Sequence, residues 1–281
     1  MNKQKAIGAT IIAAILWSTG GMFVKLLPQD AFNILFYRSL YAAFIFIVIF
    51  RSQLLKVNKL SLISALFYAP LLITFVHATK LTSAANAIFL QYTAPAFVLI
   101  LEPWLTKSRI SPRNLITVIL CMTGMSLFFM HDFSSAGDLT GTILALAGGV
   151  VLTGLLLSQR LNNSEFQPGA VFWGNILVCI ITIPWALQSP LPAANDQLIL
   201  ATLGIGQLGL GFAFFVYGQK YLPAIESALI SMLEPILNPV WVMLLIGEVP
   251  GVWSLAGGTL ILVTLTGRIL INYSIPENHP R

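Results

Sequence analysis

Ser227, Ser231, Glu234 and Asn238 recur at i, i+4, i+7 and i+11, which puts all four on one face of a helix. The stretch that carries them, 222–246, is otherwise largely apolar. An ionisable group at membrane depth costs about 2.5–3.5 kcal/mol on insertion scales, so a carboxylate there requires a reason. Glu234 has two candidate uses: holding an ammonium group or a proton, or tying neighbouring helices together through hydrogen bonds. Pro235 follows it directly and has no N–H, so the Ser231 carbonyl loses its helical partner and the helix should kink. Arg38 is the cationic counterpart, within the run 32–50. A guanidinium there clamps a carboxylate with paired hydrogen bonds, snorkels outward, or ties helix ends together. If both groups line one cavity, they suit the ammonium and carboxylate of a zwitterion.

A weaker set surrounds these two. Gln91 is the polar member of the equivalent face in the run 82–105, while Asn86 and Thr93 share another face of that run. Asn86 either lines a cavity or makes an interhelical hydrogen bond. Trp17, beside Ser18 and Thr19, and Tyr37 offer rings to an aromatic or cationic substrate, or pack in a core. Pro70, Thr74 and His77 share a face, and a histidine near a cavity mouth titrates around neutral pH, which offers coupling to protons. Tyr217 is its counterpart in the second half. Lys25 and Lys80, near run ends, read as snorkelling anchors.

One motif misleads. Gly204, Gly206 and Gly209 satisfy the dinucleotide fingerprint GxGxxG, but that fingerprint needs a strand before it and an acid after the next strand. Here it lies inside an apolar run, where glycines let helices approach or bend. Metalloprotease, phosphate-loop, CxxC and nucleophile-elbow motifs are absent from the sequence, and His131–Asp132 has no catalytic companion. No catalytic residue, metal or cofactor is therefore expected.

The elements that must position these residues follow from composition. The chain has 281 residues, 57 % hydrophobic and 9 % charged, with a mean hydropathy of +0.86. Soluble domains carry about 25 % charged residues, so an ordinary soluble enzyme is excluded and lipid is the solvent for most of the chain. A bilayer-crossing helix needs about 20 apolar residues. Ten such runs are legible: 6–27, 32–50, 61–79, 82–105, 114–130, 139–158, 170–187, 198–218, 222–246 and 251–273. The first is too long for a signal-peptide core and reads as a retained helix. Cys121 and Cys179 fall inside runs, which argues against a disulfide framework.

Sorted over ten runs, twelve of the fifteen basic residues, from Lys3 and Lys5 through Arg160 and Lys220 to Arg281, fall on one side; Lys25 and Lys80 fall on the other, and Arg38 within a run. The positive-inside rule then puts both termini in the cytoplasm and accounts for the net charge of +5 without nucleic acid. The halves also resemble each other. Phe75–Lys80 matches Phe215–Lys220 at a shift of 140, which also pairs Ala84 with Ala224 and Pro95 with Pro235. Phe36–Tyr37 pairs with Phe172–Trp173, and Gly8, Ala14 and Gly21 with Gly141, Ala147 and Gly154. Five runs per half is an odd number, so the second copy inserts upside down, an arrangement used by secondary transporters with a midplane site.

With Leu16–Gly21 in the first run, Phe36–Leu40 in the second, and Ala84–Pro95 recurring as Ala224–Pro235, the chain resembles the drug/metabolite transporter superfamily, specifically its EamA-like branch. The resemblance covers almost the whole chain. It implies an all-α integral membrane fold of ten transmembrane helices as two inverted five-helix repeats, 1–133 and 134–281, with a central cavity and peripheral fifth and tenth helices. It also implies export of amino acids, drugs or other small metabolites. Lys107 stands where the second half has Glu248, a departure that puts symmetrical gating contacts there in doubt.

The expected function is a secondary active transporter, an exporter of small metabolites such as amino acids or drug-like amphipathic compounds, alternating access around a midplane cavity. An importer or exchanger of a cationic or zwitterionic metabolite is the alternative, and an intramembrane enzyme or a passive channel the rival from another class. Partners are a small-molecule substrate and the lipid bilayer of a bacterial inner membrane, with possible proton coupling and an open oligomeric state.

Overall fold

The computed structural model describes residues 2–82, 84–107, 110–128, 139–246 and 252–274, and the regular elements among them are helical. Helix α1 (Asn2–Trp17) is interrupted at Ser18–Thr19 and resumes as α2 (Gly20–Leu26). The two hydroxyls donate to the carbonyls of Ile15 and Leu16, at 2.6 and 2.8 Å, competing with the backbone where Gly20 and Gly21 already weaken the helix. Asp30 caps α3 (Ala31–Phe50) by accepting from the amides of Phe32 and Asn33. Asn58 and Ser61 form a capping box at the start of α4 (Lys59–Leu81).

Helix α5 (Ala84–Gln91) breaks at Tyr92–Thr93 and continues as α6 (Ala94–Thr106). In the second half α12 (Ala224–Ser231) breaks at Met232 and continues as α13 (Leu233–Ile246), as Pro235 predicts. The two short helices α5 and α12 thus begin and end 140 residues apart, and each precedes a proline of the same register. Between the broken pairs lie α7 (Pro112–Phe128), α8 (Leu139–Leu161) and α9 (Gln167–Gln188). Helix α10 (Ala194–Ala201) passes without interruption into a π-helical stretch, Thr202–Leu210, and on into α11 (Gly211–Gln219); α14 (Val252–Ser274) closes the described chain.

Seven helical segments are long and apolar enough to cross a membrane. The three other runs are helical as well: α7 has 17 residues among those described, the break at Met232 divides another into helices of 8 and 14 residues, and α14 has 23 residues. Helix α4 packs on α8 and α9, α3 on α9 and the π-helical stretch, α1 on α11, and α7 on α14. One apolar cluster joins most of these elements, while Phe44, Leu66, Ile100 and Ile180 project outward, as a lipid-facing surface requires.

The two ends of the bundle differ. At one, Lys3 meets Glu226 at 3.2 Å, Lys56 meets Glu165 at 2.8 Å and Arg160 approaches Glu102 at 3.7 Å. At the other, Lys25 Nζ donates to the Thr82 carbonyl at 2.8 Å and Lys80 Nζ to the Leu27 carbonyl at 2.6 Å. These contacts give the two ammonium groups partners that a reading as snorkelling anchors leaves out. Each ammonium satisfies the C-terminal carbonyl of the neighbouring helix, α4 or α2, where the helix dipole favours a cation. Cys121 is buried, Cys179 half-buried, and both are free thiols.

Candidate functional site

A cavity opens between the broken helices and the elements that flank them, with about 600 Å³ of empty space once the open solvent at its mouth is included. Its wall is mainly apolar and aromatic: Phe75 from α4, Leu152 and Leu156 from α8, Phe212 and Phe215 from α11, and Trp17 at the break between α1 and α2. The Trp17 ring lies 4.7 Å from Phe212 and 4.8 Å from Phe215. Polar groups are few: Arg38, Gln91, Tyr92, Gln207, Ser231 and Glu234.

Each is placed by a local irregularity. Glu234 opens α13 just past the break and is 5 % exposed. Tyr92 lies in the matching break of the other half, and its hydroxyl donates to Glu234 Oε2 at 2.6 Å, a charge-assisted bond. Arg38 is 1 % exposed, which excludes the snorkelling alternative. One of its nitrogens, Nη2, donates to Gln207 Oε1 at 3.1 Å, and its guanidinium carbon stands 6.0 Å from the Phe75 ring centroid. Its Nε and Nη1 are buried with no partner in the protein. No ion pair within 4.0 Å joins Arg38 to Glu234 among the described residues.

Gln207, the partner of Arg38, lies in the π-helical stretch. Such i→i+5 segments shift side-chain register and recur at functional sites. Gly204 rides directly on α3: a Cβ there would stand 2.4 Å from Tyr41 Cβ and 2.6 Å from the Arg38 carbonyl oxygen. The GxGxxG motif is thus a close-approach surface that carries Gln207 between α2 and Arg38. A Cβ at Gly20 would meet the Gln207 amide nitrogen at 2.7 Å. Sequence reasoning passed over Gln207 because the motif around it pointed to nucleotides, and Phe75, Phe212 and Phe215 because apolar helices show no preferred face.

Of the anticipated residues, Glu234, Ser231, Gln91, Trp17 and Arg38 line this cavity. Asn238 does not: it is buried one turn further along the stripe, where its amide packs near Gly21 of α2. His77 and Tyr217 are corrected as well. Each sits two residues from a cavity-lining phenylalanine, about 200° around the helix, and so faces away. The His77 ring bonds the Ile73 carbonyl through Nδ1 at 2.9 Å and meets Phe32 edge-on at 4.6 Å. Tyr217 packs on Tyr221 at 5.7 Å. Tyr37, one residue from Arg38, turns out of the cavity and packs on Phe36. The Asn86 side chain and Glu248 lie outside the described residues.

The geometry describes a buried, mainly apolar chamber that holds a guanidinium with partly unpartnered nitrogens and a carboxyl group bonded to Tyr92, an arrangement that suits binding of a polar ligand. Comparison with known proteins agrees. The chain is 23 % identical over 265 residues to the pseudopaline exporter CntI of Pseudomonas aeruginosa, covering 90 % of this chain and 92 % of that one. It is 25 % identical over 236 residues to the threonine/homoserine exporter RhtA of Escherichia coli K12, covering 81 % and 78 %. A crystal structure superimposes with a TM-score of 0.79 at 18 % identity, covering 98 % of this chain and 99 % of that one, which establishes a shared fold. The profile of the EamA-like transporter family matches twice, over residues 4–130 and 139–270. With nearly the whole sequence inside those two matches, the chain belongs to the EamA-like transporter family and is an integral membrane protein.

Proposed function

We propose that the protein is a secondary active carrier that exports a small zwitterionic metabolite, an amino acid or a close relative, through alternating access around this cavity. One observation carries the reading: a buried guanidinium with two unpartnered nitrogens and a buried carboxylate share the wall of one aromatic chamber with no ion pair within 4.0 Å between them. Unpaired buried charges are costly, and a ligand carrying both opposite charges removes the cost at once. Arg38 receives the carboxylate, Glu234 the ammonium group, Gln91 and Ser231 the remaining polar atoms, and Trp17, Phe75 and Phe212 the side chain. Glu234 with its Tyr92 donor also serves as the proton acceptor when the site is empty of substrate, so that protonation and substrate binding exclude each other.

The same reading includes an inverted arrangement of the two halves. Ten membrane crossings in two five-helix halves, 1–133 and 134–281, place the two broken helices α5–α6 and α12–α13 in equivalent positions with opposite direction. The register of 140 residues between their breaks supports this. The basic end of the bundle then faces the cytoplasm with both termini, in a bacterial inner membrane. The names of the two exporters above support the outward direction.

The test is ligand-induced thermal stabilisation of the purified protein with an amino-acid panel, its N-acetyl derivatives and its amides. Stabilisation by free amino acids that is lost with either derivative, and lost again in Arg38→Gln and Glu234→Gln, is the expected result. Equal stabilisation by all three ligand forms overturns the zwitterion reading. Counter-flow of labelled ligand in liposomes separates a carrier from a channel.

A further inference from the structure

The helices that wall the cavity continue beyond it toward the end marked by Lys3 and Arg160, and there their inward faces change character. On α8 the lining residues Leu152 and Leu156 are followed at i+7 and i+3 by Gln159, and on α11 Phe212 and Phe215 are followed at i+7 and i+4 by Gln219. On α12 Ser231 is preceded at i−4 by Ser227, and on α4 Leu71, Leu72 and Phe75 are preceded by Tyr68. Four separate elements thus carry a polar side chain one or two turns below an apolar lining, on the same helical face and at the same end. Gln159, Gln219, Ser227 and Tyr68 are all 2 % exposed or less.

Three of these four have no use in the present arrangement. Both amide atoms of Gln159, both of Gln219 and the Ser227 hydroxyl are buried without a partner. A buried polar atom left unpaired is costly, and folded proteins keep few of them. Five such atoms at one level of a membrane bundle call for a second state in which water or substrate reaches them. A contact between the halves lies at the same end. Glu102, on α6, accepts the backbone N–H groups of Ala224 and Ile225 at 3.0 and 2.9 Å, so the carboxylate from the first half caps the N-terminus of α12 in the second. Arg160 stands 3.7 Å from the same carboxylate. The shift of 140 residues offers no carboxylate for a symmetrical clasp at the other end, since the position equivalent to Glu102 is a valine.

Resting on the reading of the chain as a carrier, we infer that Gln159, Gln219, Ser227 and Tyr68 line the substrate route between the cavity and the basic end, and that the Glu102 cap on α12 is the latch that keeps this route shut. The route suits the same small zwitterion in transit, because amides and hydroxyls exchange hydrogen bonds with a carboxylate or an ammonium group without retaining either. When the latch opens, α12 moves off α6, the two N–H groups turn to water, and the stranded amides become solvated.

Cysteine accessibility tests this without any ligand. In a Cys121→Ala, Cys179→Ala background, Ser227→Cys and Gln219→Cys are placed separately and exposed to a membrane-impermeant methanethiosulfonate in oriented vesicles, with Leu244→Cys as a lipid-facing control. Slow modification from the basic face, accelerated at least about fivefold by Glu102→Gln, is expected, because weakening a contact made in one state raises the population of the other. Glu102→Asp, which keeps the charge but shortens its reach, should accelerate modification in the same direction and serves where Glu102→Gln folds poorly. Rates unchanged by both substitutions, or modification from the opposite face alone, overturn the inference. Loss of amino-acid stabilisation with retained latch behaviour would instead strike only the substrate assignment.

Discussion

The hydroxyl of Tyr92 and the carboxylate of Glu234 meet at 2.6 Å although 142 residues separate them, and each stands at the break of its own helix. The contact joins the two halves of the chain at the cavity wall. It works because both helices break: the interruption at Tyr92–Thr93 and the one at Met232 release side chains that a continuous helix would hold on its outer surface. Hydrogen bonds to charged groups contribute about 1.5–3 kcal/mol.

Tyr92→Phe should therefore lower stability by about 1.5–3 kcal/mol, since it leaves a buried carboxylate oxygen without its donor. Thermal unfolding of the purified single variants and of Tyr92→Phe/Glu234→Gln gives a double-mutant cycle. The expected double variant is much less damaged than the sum of the singles, with a coupling of about 1–3 kcal/mol. Simple additivity would mean that the two side chains do not act together.

Gln207 accepts from Arg38 and is itself wedged against Gly20, so its amide sets where the guanidinium points. Gln207→Leu keeps the volume and removes the acceptor. It should weaken stabilisation by a carboxylate-bearing ligand about tenfold, the equivalent of one hydrogen bond near 1.4 kcal/mol. Ligands that lack the carboxylate should bind the variant and the parent alike. A uniform loss across both ligand sets would show a packing defect instead.

How far the sequence reveals this site depends on whether a residue breaks a local pattern. Glu234 and Arg38 stand out because charges are scarce in apolar runs, and Pro235 announces the break at Met232. His77, Tyr217 and Tyr37 were misplaced for the opposite reason: on a helix apolar all round, the face toward the cavity and the face toward lipid read alike. The carbonyls that Lys25 and Lys80 satisfy belong to each other's helices, a tertiary relation that spacing cannot express. Glu102 shows the same limit, since its partners are backbone amides of α12.

Two glycines in the π-helical stretch should behave very differently although they are two residues apart. Gly204→Ala drives a Cβ to 2.4 Å from Tyr41 and 2.6 Å from the Arg38 carbonyl, so α3 and the stretch must separate. Overpacking of this kind costs about 1–3 kcal/mol. At Gly206 a Cβ meets nothing within 4 Å, so Gly206→Ala should be neutral or slightly stabilising. Comparable unfolding temperatures for the two variants would count against the close approach of α3.

The crossed lysines at the far end give the last expectation. Lys25 Nζ serves the end of α4 and Lys80 Nζ the end of α2, so each ammonium neutralises a carbonyl terminus that the other's helix exposes. Lys25→Met and Lys80→Met should each destabilise by about 1–2 kcal/mol, the sum of one charged hydrogen bond and a helix-dipole contribution, reduced by partial exposure. Because the contacts are hydrogen bonds to carbonyls and not ion pairs, raising the salt concentration should remove only the helix-dipole part and leave a difference between parent and variants. A difference that vanishes in high salt would assign the lysines to a diffuse surface field, where screening is effective, and not to the closure of these two helix ends.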